Sequence, residues 1–201
     1  LLKAALEGIA ALNQRYPHPK RGNYFHLLHR ERRYNPQEGV WMGWERKRGK
    51  LTEFNALLAG EEETSFTTIT GERDFYKQIR YVITLDSDTQ LPREAARRLI
   101  GTIAHPLNAP VVDEEKGVVV KGYGIIQPKI SISNASANHT LFSLLHSNQW
   151  GIDLYSSAIS NPYQDLFGHG IFTGKGIYDA RIFHRLLRKR FPENAILSHD
   201  L

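Results

Sequence analysis

The 201-residue chain has no cysteine. That one absence removes disulfides, thiolate metal sites and cysteine nucleophiles together, and it fits a reducing compartment. Long apolar runs are also missing: none approaches the ~18 residues of a membrane span, and Leu1 begins no signal-peptide pattern. The stretch therefore reads as a soluble segment. What is present is a globular composition, 41% hydrophobic and 23% charged, which excludes a disordered tail, a collagen-like repeat and a small staple-dependent scaffold. The length suits one domain with a sizeable core, and no internal repeat or linker divides it.

Charge is unevenly placed. Residues 1–50 hold eleven Lys and Arg against four acids, a local net of +7 in a chain whose net is +5. Such a stretch is either a solvated face or a site for phosphate, nucleic acid or acidic lipid headgroups. It carries no nucleic-acid fold signature and no interleaved aromatic platform, so nucleic acid is not an expected partner.

Leu2, Leu6, Ile9 and Leu12 repeat at helical spacing before Pro17 and Pro19. Tyr24 to His29 reads as a strand, Arg30 to Gly49 as a long polar loop, and Lys50 to Leu58 as a helix. Tyr81 to Leu85 is a short apolar run consistent with a buried strand, and Pro92 to His105 is a helix with proline in its first turn. After the connection from Pro106 to Gly117, the alternation of Val118 to Ile132 predicts a strand or hairpin arm. Asn134 to Trp150 and Asp179 to Arg190 are expected helices. Strands alternating with helices predict an α/β architecture, a mostly parallel sheet with helices on both faces.

Three places invite chemistry. Asp86-Ser87-Asp88 follows the buried strand at its carboxyl end, where ligands sit in open α/β sheets. Two carboxylates one residue apart can turn toward a hard cation, or they can be a polar turn with Asp88 capping the next helix. Arg46-Lys47-Arg48-Gly49-Lys50 places cations at a helix start, either an anion site or a solvated charge run. Phe172-Thr173-Gly174-Lys175-Gly176, with Gly168 and Gly170 upstream, is dense in glycine, as a backbone approached by a ligand or a plain irregular loop would be. It lacks P-loop spacing. Ser198-His199-Asp200 is no hydrolase triad, because neighbours on a strand point to opposite faces. Trp41 and Trp44 flank Gly43 and are expected to anchor core, the other reading being a stack on a sugar or base, and the nine histidines show no helical metal-binding spacing.

The order of these pieces resembles the inverting, cellulose-synthase-like nucleotide-sugar glycosyltransferases. More narrowly, Glu38-Gly39-Val40-Trp41-Met42-Gly43-Trp44-Glu45-Arg46-Lys47-Arg48-Gly49-Lys50 with Asn55, Leu85 to Thr89, Phe172 to Asp179, and Pro192-Glu193-Asn194 through Leu201 resemble the glycosyltransferase catalytic region of the bacterial cyclic β-1,2-glucan synthases. The resemblance implies a GT-A-like (Rossmann-like) domain over residues 1–201, UDP-glucose as donor, a glucan as acceptor, and Mg²⁺ or Mn²⁺. It implies Asp86 and Asp88 as diphosphate and metal carboxylates, Lys50 as a diphosphate or uridine contact, Asp200 as catalytic base with His199 beside it, and Gly174 on the acceptor side. It also implies an incomplete fragment of a membrane-embedded parent on the cytoplasmic face of the inner membrane. The first strand of the nucleotide-binding half and a Q-x-x-R-W element do not occur in the chain. His169 stands where an acidic residue is expected. The alternative reading is a catalytically incomplete nucleotide-sugar or carbohydrate-binding module.

Overall fold

A computed structural model describes residues 1–18, 22–128, 140–146, 166–167, 172 and 174–195. Its strands are β1 (Leu28–Arg30), β2 (Arg33–Asn35), β3 (Val40–Met42), β4 (Phe66–Ile69), β5 (Tyr81–Thr84), β6 (Val111–Asp113), β7 (Val118–Lys121), β8 (Ile125–Ile126) and β9 (Gly176–Asp179). The helices are α1 (Leu2–Arg15), α2 (Arg46–Leu58), α3 (Arg73–Tyr76), α4 (Ala95–Ile103), α5 (Leu141–His146) and α6 (Ala180–Leu187), with a 3₁₀ turn at Pro106–Asn108.

The expected parallel sheet is overturned. Every pairing among the described strands is antiparallel: β1 with β4, β2 with β3, β6 with β7, and a three-stranded sheet in the order β5-β9-β8. This is not a Rossmann-like or GT-A-like parallel sheet. The physical reason lies in β9. The glycine-dense segment read as a loop runs directly into a strand, and that strand takes the centre of the sheet with its direction opposed to β5. Gly176 begins it because a Cβ there would press on Phe172 at 3.1 Å and on Gln127 Cα at 3.2 Å.

The boundaries of other elements shift for local reasons. The Arg30 to Gly49 stretch is not a loop throughout. Asn35 closes a hairpin by accepting hydrogen bonds from Gln37 N (3.0 Å) and Glu38 N (3.2 Å), and Gly39 takes φ +67°. The following helix starts at Arg46 rather than Lys50. The strand expected from Tyr24 lies later, at β1, where β4 offers it a partner. Val118 to Ile132 breaks at Gly122, which takes φ +72° and where a Cβ would strike the Ala109 carbonyl. The rest of that segment beyond Pro128, and most of Asn134 to Trp150, lie outside the described residues.

β9 organises the core because its side chains alternate across the sheet. Ile177 meets Leu99 and Ile103 of α4 on one face, while Tyr178 meets Leu57, Leu58, Tyr76 and Ala180 on the other. Both β9 residues are 0% exposed. The Tyr178 hydroxyl donates to Asn55 Oδ1 on α2 at 3.1 Å. Asp179 then caps α6, accepting from the backbone N–H groups of Arg181 (3.1 Å) and Ile182 (3.3 Å) and from Arg80 Nε (3.0 Å). No helix among the described residues is long and apolar enough to cross a membrane.

Burial pushes the phenols of Tyr178 and Tyr76 up to about 12 each. In the unfolded chain a tyrosine ionises near 10, so the stability that these buried neutral phenols contribute is present below that pH and lost as pH rises toward 12. The expected loss is on the order of 2–3 kcal/mol for each phenol. Thermal melts at rising alkaline pH check it, with Tyr178→Phe flattening the decline. A phenolate absorbance titration complete near pH 10 in the folded chain would contradict it.

Candidate functional site

The antiparallel ladder ends at the pair Thr84 and Gly176, and just beyond it Asp86 and the Gly174 carbonyl are joined through Lys47. Gly174 takes φ +79°, a left-handed conformation that glycine adopts without strain. The turn places Lys175 so that its Nζ lies 3.1 Å from Asp86 Oδ2. Lys47, in the first turn of α2, reaches the same carboxylate from the other side. It pairs with Asp86 Oδ1 and donates to the Gly174 carbonyl at 3.1 Å. The carboxylate is thus shared between two ammonium groups from two separate segments.

Lys50 follows Lys47 at helical spacing, which brings both to one side of α2. Its ammonium is held below the ordinary lysine range, first by partial desolvation, then by the charges of Arg30 and Lys47, with Asp86 acting in the opposite sense. The Asp86 carboxyl is held below the usual range chiefly by the hydrogen bond from Lys47, with Lys175 adding to it and desolvation opposing. Asp88 is exposed, and its Oδ1 accepts from Thr89 Oγ1 at 3.4 Å. It does not cap the next helix, which starts from Glu94.

A buried frame fixes α2 so that Lys47 and Lys50 face Asp86. Arg30, its side chain 7% exposed, donates to the Trp44 carbonyl (2.9 Å), the Arg46 carbonyl (2.7 Å) and Glu53 Oε2 (2.9 Å). Glu53 is completed by the N–H and hydroxyl of Ser65, both at 2.7 Å. Glu45 is buried, paired with Arg48, and accepts from Asn194 N at 2.5 Å. Trp44 Nε1 donates to Glu193 Oε1 (2.7 Å), and Asn35 Nδ2 to Asn194 Oδ1 (2.7 Å). The tryptophan-containing string and the Pro192-Glu193-Asn194 segment, 149 residues apart at Trp44 and Glu193, are one structural unit.

Of the residues expected from sequence, Asp86 and Gly174 come together through Lys47, Lys50 lies one turn further along α2, Asp88 lies on the exposed turn, and His199 and Asp200 lie outside the described residues. Lys47 lies within the cationic string and Lys175 within the glycine-dense one, but neither is expected from sequence as a site residue. With α2 starting at Arg46, the spacing of Lys47 and Lys50 on a helix is the available signal for the first. For the second there is none without the strand pairing. As a cation site, the described residues hold no group of three metal-ligating side chains. The carboxylates at this strand end are Asp86, whose two oxygens are taken by Lys47 and Lys175, and the exposed Asp88; a hard cation such as Mg²⁺ takes one or two such groups and completes its shell with substrate phosphate and water.

The chain is 46% identical over 202 residues, all of its own length, to the cyclic beta-(1,2)-glucan synthase NdvB of Rhizobium meliloti (strain 1021), and it spans 7% of the length of that protein. No protein-family model matches. The resemblance read from separate motifs therefore runs through the whole chain.

Gly49 is where this frame is tightest. A Cβ there would strike the Trp44 carbonyl oxygen and lie 2.6 Å from Glu45 Cβ and 2.8 Å from the Trp44 ring. Helix propensity alone favours Gly49→Ala by roughly 0.5–1 kcal/mol. Overpacking of the Trp44 turn outweighs it, so a net destabilisation of about 1–3 kcal/mol is expected in denaturant melts. An alanine variant more stable than the parent chain would contradict the packing.

Proposed function

We propose that this chain is part of an inverting glucosyltransferase that takes glucose from UDP-glucose and adds it to the 2-hydroxyl of a growing β-1,2-glucan. What supports this reading is the convergence of Asp86, Lys47 and Lys175 at one strand end, in a chain similar along its whole length to a glucan synthase. The cationic side chains are suited to a nucleoside diphosphate, whose charge they offset without desolvating a full ion pair. Asp86 and Asp88 would hold Mg²⁺ or Mn²⁺. Bound there, the cation supplies charge neutralisation to the departing diphosphate.

Inversion at the anomeric carbon needs one general base and one stabilised leaving group, with no covalent glycosyl-enzyme. Lys50 and its neighbours would hold the donor diphosphate, and Asp200, with His199 beside it, would take the proton from the attacking hydroxyl. Gly174 would line the path to the acceptor with its backbone. The whole protein would act at the cytoplasmic face of the bacterial inner membrane, held there by segments other than these residues.

Asp200→Asn keeps the side-chain shape and removes the basicity. In the full-length protein the expected result is near-normal UDP-glucose binding with transfer reduced ~10²-fold or more. Radiolabelled glucose incorporation beside donor-binding calorimetry reads both. Undiminished transfer would move the base elsewhere, and an equal loss of donor binding would make Asp200 a binding residue. If UDP-glucose neither binds nor donates in the unaltered protein, the glucosyltransferase reading fails.

A further inference from the structure

Asp86 has a feature that the donor-site reading leaves unused. Each of its two oxygens is taken by a different lysine, Oδ1 by Lys47 and Oδ2 by Lys175. The two ammonium groups come from α2 and from the turn before β9, segments far apart in sequence. Both lysine side chains are only about a quarter exposed, at 25% and 28%. Lys50 adds a third positive charge, while the nearby Arg30 is satisfied by Glu53 and two carbonyls. Lys47 and Lys175 on one carboxylate leave a local excess of positive charge. Two ammonium groups bridged by one carboxylate are also the arrangement that would bridge a phosphate.

We propose that Lys47 and Lys175 form a diphosphate-binding pair whose occupant in the free protein is the carboxylate of Asp86, so that a diphosphate binds by displacing Asp86 from the two lysines. Lys175 then contacts the leaving diphosphate, although it belongs to the glycine-dense segment expected on the acceptor side. Displacement frees both oxygens of Asp86 at the moment a phosphate arrives. The carboxylate thereby becomes available for a cation only when the diphosphate is in place, and anion and cation favour each other's binding by linkage. The diphosphate is the donor's only if the glucosyltransferase reading holds, but the exchange itself is a property of these three side chains.

Self-occupancy lowers apparent affinity in proportion to the fraction of molecules with free lysines. Ion pairs in partial contact with solvent are screened, so the effect is modest, roughly three- to tenfold. The test is calorimetric titration of the full-length protein with inorganic pyrophosphate, in chelator and without divalent cation. Asp86→Asn is expected to tighten pyrophosphate binding by about three- to tenfold. Lys175→Gln is expected to weaken it, and to weaken it more in the Asp86→Asn background than in the unaltered protein, because only there is the lysine not already engaged. Equal costs of Lys175→Gln in both backgrounds, or weaker binding in Asp86→Asn, would overturn the exchange. Should Asp86→Asn not fold, Lys175→Gln alone decides, since unchanged pyrophosphate affinity in that variant excludes it from the anion site. The probe contains no sugar or uridine. A protein that fails to transfer glucose yet shows this coupling loses the glucosyltransferase reading and keeps the exchange, and transfer with additive effects does the reverse.

Discussion

The antiparallel register between β5 and β9 is the constraint on which the site depends. Pairing Thr84 with Gly176 sends the two chains past each other in opposite directions, so the carboxylate that leaves β5 meets the lysine that precedes β9. A one-residue slip would turn Ile177 and Tyr178 to the wrong faces, exposing two fully buried side chains. Hydrophobic burial on both sides of β9 thus fixes a polar contact two residues beyond the end of the ladder. At roughly 25 cal/mol per Å², burying an isoleucine and a tyrosine stabilises the register far more than an accessible ion pair does.

Positive charge in the first fifty residues is divided between two duties. Arg30 and Arg48 are engaged inside the protein, against Glu53 and Glu45, where they hold the Trp44 turn to the β1 strand and to the Pro192-Glu193-Asn194 segment. Lys47 and Lys50 are what this frame points outward, toward Asp86. Guanidinium groups suit the first duty because one planar fork can satisfy two carbonyls and a carboxylate, as Arg30 does. Ammonium groups suit the second because they exchange partners without a fixed planar geometry.

Much of this is legible in the sequence where the determinants are local. The apolar Tyr81 to Leu85 run places a strand and sets the D-x-D at its end, and helical periodicity locates α1, α2, α4 and α6 within a few residues. The long tryptophan-containing string carries the family resemblance that the 46% identity bears out. Strand direction is not legible, because pairing is decided between segments about ninety residues apart, and alternation of helices with strands fits antiparallel neighbours as well as parallel ones. Gly176 misleads for a related reason. Glycine reads as a loop residue from its neighbours, whereas here Phe172 and Gln127 crowd it and only the assembled sheet reveals that. Lys175 is hidden along with it.

Asp86 lies between Lys47 and Lys175 in the free protein. Zero-length carbodiimide coupling of the full-length protein, followed by peptide mass spectrometry, tests it without any assumption about substrate. Amide links are expected from Asp86 to Lys47 and to Lys175, both suppressed by pyrophosphate. Efficient coupling of Asp86 to other amines with neither lysine among them would contradict it.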